Sequence, residues 1–209
     1  MSALSAPGVN ETRHGRVLEL EMSNPAQRNA LTPDTSRLVT RALRGTAKPV
    51  IAAVEGHAAG AGSSIALGCD LIVAAESAVF TLAYVKIGVN PDGGGTWFLA
   101  HALPPQLAKE LALSATPVPA SRLTAHGVVN RVAAAGRARA ETLAWAAELA
   151  AGATQAIGRT KRLLWEAVGQ DLARRLDRER ESFADGMYGL EGAEGFSAFI
   201  EKRKPRFHG

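Results

Sequence analysis

The sequence predicts an α/β protein in which one substantial strand-and-helix core is followed by a helical C-terminal region. Three observations carry this. Two apolar runs, Pro49 to Val54 and Leu71 to Ala75, bracket a Gly/Ala loop and a short apolar helical segment from Ser63 to Leu67, which is the pattern of two buried strands joined through a helix. From Pro104 onward, apolar residues recur at helical spacing over 105–115, 120–126, 138–151, 154–168 and 170–187. A chain of 209 residues, 46% of them hydrophobic, is long enough for one large core and a small appended element. The division reads as a core over residues 1–135, shortened around 34–47, and a helical region over 136–209.

Taken in order, Arg16 to Met22 (RVLELEM) alternates polar and apolar residues and reads as an edge-like strand. The loop SNPAQRNALTPD follows, and Thr32-Pro33 opens a helix with proline at its first position. Leu38, Val39, Ala42 and Leu43 form that helix's apolar stripe, which ends before Gly45. In VEGHAAGAGSSIALGCDLIVAA (Val54 to Ala75), Gly56, Gly60 and Gly62 let the backbone turn sharply and a ligand approach it closely. The first N–H groups of the helix that follows are unpaired and electropositive, which suits a phosphate or an oxyanion. Neither GxxxxGK[ST] nor GxGxxG is present, so this is no ordinary phosphate loop. Val79 to Val89 mixes a short extended piece with a loop, and PDGGGTW (Pro91 to Trp97) is a tight turn opening another helix. GVVNRVA at 127–133 reads as a short strand among the later helices.

Composition excludes several classes. A lone cysteine, Cys69, rules out an internal disulfide, fits a reducing compartment and reads as a small buried hydrophobe. The polar N-terminus lacks the apolar core of a secretory signal, and Glu55, His57 and Asp70 interrupt the richest apolar stretch before it could span a membrane. A soluble, cytoplasmic protein without a membrane partner is expected. Net charge is +4. Arg174, Arg175, Arg178 and Arg180 are interleaved with Asp171, Asp177, Glu179 and Glu181, the pattern of a solvated helix face. Lys202, Arg203, Lys204 and Arg206 have no acid after Glu201, which offers a place for an anionic partner. No recognition motif or aromatic platform accompanies the charge, so nucleic acid is not expected. The five histidines lack ligand spacing, and no metal site is expected. Ser63 and Ser64 stand outside any GxSxG elbow, and His57 reads as a lining or packing residue.

Five segments in order, NPAQRNALTPD (24–34), KPVIAAVEGHAAGAGSSIALGCDLIVAAESAVFTL (48–82), IGVNPDGGGTW (87–97), AKELALSATPVPASRLTAHGVVNRV (108–132) and EGFSAFIEKRKPRF (194–207), resemble the enoyl-CoA hydratase/isomerase (crotonase) superfamily. Each alone is weak; together they cover most of the chain. The resemblance implies a crotonase-like spiral of strand–strand–helix units with a C-terminal helical trimerisation region, and a homotrimer or a hexamer made of two trimers. It implies an acyl-CoA or enoyl-CoA substrate held as an enolate-like anion by two backbone N–H groups, with no cofactor beyond the coenzyme A of the substrate. The second of those donors falls on Ala61, where the family usually has glycine. Hydratases of the family use two glutamates to position and split water, and Ser64 and Tyr84 stand at those positions here. Neither substitutes for a carboxylate in acid–base work, so double-bond isomerisation is expected rather than hydration.

Asp92 is then the candidate acid/base, because isomerase branches carry an acid in the equivalent turn; Pro-Asp-Gly is also a common turn sequence for backbone reasons alone. The resemblance places Ala59, Gly62, Ser64, Tyr84 and Pro91 along the substrate. It places Arg28 and Ala30 at the nucleotide end of coenzyme A, and Phe199 and Lys202 in a tail that closes over it. A serviceable alternative is a catalytically silent acyl-CoA-binding or oligomer-partner protein. Relatives carry more chain between the first helix and the KPVIAAV strand, including an AGADL-like loop that supplies the first oxyanion donor. Residues 34–47 are too few for a crossover unit of about 30 residues. Either the protein lacks that unit or a segment of its chain is absent from this sequence. Loss of one oxyanion donor typically costs about 2.7–4 kcal/mol of transition-state stabilisation.

Overall fold

The structure, a computed structural model, describes residues 9–23, 29, 31, 33–168 and 171–208. It divides into two compact units, one drawn from Met1–Gly45 and Val50–Trp145, the other from Thr46–Pro49 and Ala146–Gly209.

In the first unit, β1 (Val9–His14) pairs antiparallel with β2 (Val17–Met22) from Val9↔Met22 to His14↔Val17. Gly15, at φ +59, makes the turn between them. The sequence reading gave only β2, because every residue of β1 except Val9 is exposed and leaves no apolar alternation to detect. Helix α1 (Pro33–Gly45) lays Val39 and Leu43 against Ile65, with Met22, Leu31, Val50 and Cys69 packed around them. Residues 46–50 alone then lead to β3 (Ile51–Val54).

A strand–strand–helix step follows: β3, then β4 (His57–Ala59), then α2 (Ala61–Gly68). The next step begins with β5 (Leu71–Ala75) and β6 (Val79–Thr81). Each strand lies parallel beside its counterpart one step earlier, β5 against β3 from Ile51↔Leu71 and β6 against β4 from His57↔Val79. This is the repeat of a spiral. The 3-10 turn Ala83–Ile87 and helices α3 (Gly95–Ala102) and α4 (Pro105–Ser114) come next. Then β7 (Val118–Pro119) joins β6 antiparallel, and β8 (Arg131–Ala133) joins β5 in parallel beyond α5 (Ala120–Ala125). The sheet orders are β3-β5-β8 and β4-β6-β7; among the described residues the outer edges of β2 and β3 carry no strand.

Two side chains pin the first of these sheets. Asp70 Oδ2 accepts from Val50 N at 2.7 Å, and Asn130 Oδ1 accepts from Ile72 N at 2.8 Å, so each polar residue extends the ladder where a strand ends. Val73, Ala74, Ala75, Ala78 and Leu82 are completely buried and form the centre. A Cβ on Gly68 would come within 2.8 Å of the Phe98 ring, so the glycine lets α2 and α3 approach closely. The strand expected over 127–133 is restricted to Arg131–Ala133, after a turn through Gly127 at φ +73. Cys69 is half-buried rather than enclosed, its Sγ directed at Ile65 O.

After α6 (Ala138–Ala151), the second unit contains α7 (Thr154–Ala167), α8 (Leu172–Met187) and α9 (Leu190–Ile200). Here the cations are not all solvated. Arg175 does not lie on a solvated face: it is 5% exposed, donates from Nη2 to Leu163 O at 2.6 Å and stands 3.6 Å from Glu166. Lys161 is likewise buried, with Nζ on the carbonyl of Lys48 at 2.9 Å. Local charge alternation cannot reveal this, because the carbonyls that receive these cations lie on other segments. In the tail, Arg203 is committed internally to Glu194 and Glu201, each at 2.6 Å, rather than open to an outside anion. Among the described residues no helix is long and apolar enough to cross a membrane.

Candidate active site

The site is built where β4 turns into α2. Of the three glycines singled out there, Gly60 alone adopts a positive φ, +51, and its N–H donates to Thr81 O at 2.9 Å. The first intrahelical bond of α2 runs from Ser64 N to Gly60 O, so among the described residues the N–H groups of Ala61, Gly62 and Ser63 are the orphan donors of the first turn. No acidic residue stands in that turn. Ala61 lies outside the left-handed region, so its Cβ is no obstacle to presenting the N–H.

Ser63 is fully buried; its Oγ donates to Ala58 O at 2.7 Å and accepts from Thr81 N at 3.1 Å, clipping β4 to β6. That dual role leaves it no part as a nucleophile. His57 is exposed, with its Nε2 2.9 Å from Thr81 Oγ1. Ser64 is also fully buried, and its Oγ stands 3.3 Å from the Tyr84 hydroxyl. Tyr84, in the turn after β6, donates that hydroxyl to Asp92 Oδ1 at 2.6 Å. Thus Ser64, Tyr84 and Asp92, taken from three separate elements, form one hydrogen-bonded chain. Burial and then the Asp92 carboxylate push the Tyr84 phenol up to about 12, so it is a neutral donor at ordinary pH.

The turn that carries Asp92 is itself fixed. Gly93 and Gly94 have φ of +61 and +84, Gly95 N donates to Asp92 O at 3.1 Å, and Thr40 Oγ1 donates to Gly93 O at 3.1 Å. A Cβ on Gly93 would stand 2.6 Å from Ser36 Oγ, and one on Gly95 would run into Ser64 Oγ. Ser36 is fully buried, with no hydrogen bond to its Oγ among the described residues. Sequence reasoning missed Ser36 and Thr40, though two hydroxyls four apart on the apolar side of a helix were a signal available to it. Ala59, exposed, and Pro91, half-buried, flank this constellation in the sequence. Arg28 and Ala30 lie outside the described residues. Phe199 and Lys202 belong to the second unit and are exposed, and Lys202 has φ +55. Among the described residues no three His, Cys, Asp or Glu side chains are grouped as a metal site.

A spiral of strand–strand–helix steps, with a helix N-terminus facing a Tyr–Asp pair, defines a class that comparison with known proteins makes definite. The profile of the family "Enoyl-CoA hydratase/isomerase" matches residues 18–209, and the chain belongs to that family. It is 38% identical over 176 residues to the 1,2-epoxyphenylacetyl-CoA isomerase of Escherichia coli K12, covering 82% of this chain and 65% of that protein. It is 34% identical over 176 residues to the 2,3-dehydroadipyl-CoA hydratase of the same organism, covering 84% and 69%. The chain thus spans about two-thirds of the length of these curated relatives, and slightly less for the isomerase. Among solved structures, an enoyl-CoA hydratase from Polaromonas sp. JS666 superposes with a TM-score of 0.92 at 35% identity, covering 96% of this chain and 99% of that one. A Geobacillus kaustophilus structure described as an enoyl-CoA hydratase subunit gives 0.90 at 28% identity, covering 97% and 98%. The expected crotonase-like fold is therefore the observed one.

Proposed function

We propose that the protein acts on an enoyl-CoA thioester and moves its double bond instead of adding water. The carrying observation is the make-up of the constellation: one carboxylate, Asp92, bonded to the Tyr84 hydroxyl at 2.6 Å, with Ser64 and Tyr84 where hydration would use two glutamates. A single carboxylate suits the transfer of one proton between two carbons. Asp92 takes a proton from C2 of a 3-enoyl thioester, and the freed electron pair spreads onto the thioester oxygen. The orphan N–H of Ala61 meets that developing charge. The proton then returns at C4 and the double bond comes to rest between C2 and C3. Both Escherichia coli relatives are named for CoA thioesters, which supports the substrate class.

In this reading Ala59, Gly62 and Pro91 line the acyl end, Arg28 and Ala30 serve the nucleotide end, and Phe199 and Lys202 close over coenzyme A, with no further cofactor. Leu190 and Ile200 are 87% and 77% exposed in the second unit, which supports their burial against a further copy of the chain, read here as a trimer or a pair of trimers and counted by light scattering. The single cysteine supports a cytoplasmic setting. The test is turnover of 3-enoyl-CoA against 2-enoyl-CoA. Asp92→Asn should lower isomerisation by about 10²–10⁴-fold; unchanged isomerisation would refute the assignment.

A specific observation favours a second reading, a silent acyl-CoA binder. Residues 46–50 alone join α1 to β3, and the outer edge of β3 is unpaired among the described residues. Tight CoA-ester binding without turnover would select it. An intact mass near 21.9 kDa would establish that the native chain is this short, and a heavier one would supply the segment that holds a first oxyanion donor.

A further inference from the structure

Asp92 sits in a turn that leaves its side chain little support from neighbours in sequence. Gly93 and Gly94 follow it, both at positive φ, and the hydrogen bonds that fix this turn, from Thr40 and Gly95, act on main-chain carbonyls. Its carboxylate is held through Oδ1 by the Tyr84 hydroxyl at 2.6 Å, the length of a charge-assisted O–H···O⁻ bond. Among the described residues Oδ2 has no hydrogen-bond partner. Tyr84 is anchored in turn. Its hydroxyl meets Ser64 Oγ at 3.3 Å, and a Cβ on Gly60 would lie 3.9 Å from its Cζ, so the ring rests on the loop that leads to Ala61.

We propose that Tyr84 is a positioning residue for Asp92: its hydroxyl occupies Oδ1, so that proton transfer to and from substrate runs through Oδ2 at a fixed distance from the Ala61 N–H. This rests on the reading of Asp92 as the acid/base. Geometry is what makes the tether matter. A general base acts only within hydrogen-bond reach of the proton it takes, and an untethered aspartate on a glycine turn spreads over several rotamers. Tyr84 itself does not carry the substrate's proton, because its own hydrogen is committed to Oδ1 and its phenol stays protonated at neutral pH.

Two readouts test this, and they fail separately. The chain has two tyrosines, so a Tyr188→Phe background leaves Tyr84 as a single tyrosine signal; Tyr188 is 83% exposed. In that background, ¹³C NMR of the tyrosine Cζ at about pH 11 should report mostly phenol, and Asp92→Asn should convert a larger share to phenolate by removing the anionic acceptor. An identical titration in Asp92→Asn would overturn the proposal, because the two groups would not be bonded in solution. With 3-enoyl-CoA, Tyr84→Phe should lower kcat by about 10- to 100-fold while KM changes less than about twofold, as expected for a misplaced rather than missing base. Unchanged kcat would overturn the positioning role while leaving Asp92 in place. A loss as deep as that of Asp92→Asn would also overturn it and make Tyr84 the proton carrier. Full activity in Asp92→Asn would instead sink the underlying assignment, and the NMR result would still decide whether the bond exists.

Discussion

Gly95 is where one methyl group would do most to the candidate site. A Cβ there runs into Ser64 Oγ and approaches Leu82 Cδ2 to 3.3 Å, and both neighbours are fully buried. Gly95→Ala should therefore cost about 1–3 kcal/mol by overpacking, read from the midpoint of urea unfolding. It should also depress turnover, because Ser64 must leave Tyr84. Asp70 presents the opposite case, a polar group that cannot be lost. Asp70→Ala removes the acceptor 2.7 Å from Val50 N, and a half-buried amide without a partner costs about 1–3 kcal/mol. An unchanged unfolding midpoint would show that another group or water takes over that amide. At this scale the sequence made several residues legible. Ala61, Ser64, Tyr84 and Asp92 were all singled out from motif order, and the last three meet in space. Ser36 and Thr40 were not legible, because what gives them meaning is Gly93, more than fifty residues away in the chain.

Among the elements, α7 depends on a cap it does not supply. Its N-cap, Ala153, has no side-chain acceptor, and Glu191 in the first turn of α9 receives Gln155 N at 3.0 Å and Ala156 N at 3.1 Å. Glu191→Ala should cost about 1–2 kcal/mol, measured as a lower thermal midpoint. Lys202 gives an element-scale prediction of opposite sign. It ends α9 at φ +55, with Arg203 N bonded to Ala198 O at 3.0 Å, a helix stop at which glycine is the usual residue. Lys202→Gly should raise stability by about 0.5–1 kcal/mol. It should weaken CoA-ester binding in a titration if this lysine serves the ligand. Helices with strong apolar spacing were legible to within a residue or two, α7 (Thr154–Ala167) among them. Short pieces such as β4 and β7 were not, because two or three residues carry no period and owe their extended form to β6 beside them.

For the molecule as a whole, pH acts on the tail. The Arg203 guanidinium, and then the Arg206 N–H, hold the Glu194 carboxyl at about 2, below its ordinary 4.5. A depressed carboxylate stabilises the fold fully above the ordinary value, and that contribution fades as pH falls toward the lower one. Protection of the Arg203, Lys204 and Arg206 amides, taken relative to their intrinsic exchange, should therefore fall as pH drops from about 4.5 to about 2, and Glu194→Gln should leave them weakly protected throughout. Added salt should weaken the same contact, since the pair is exposed to solvent. The sequence by itself determined the α/β class, the family and the placement of a helix N-terminus after the glycine loop, because periodicity, glycine turns and motif order are local and act over a few residues. Only the tertiary structure decided that Tyr84 bridges Ser64 and Asp92, that Arg175 is buried, and that Arg203 is spent on Glu194 and Glu201. Partners on separate elements are chosen by which strands and helices pack side by side. A one-dimensional pattern holds the residue types for such bonds, but the packing of the spiral sets the distances that make them.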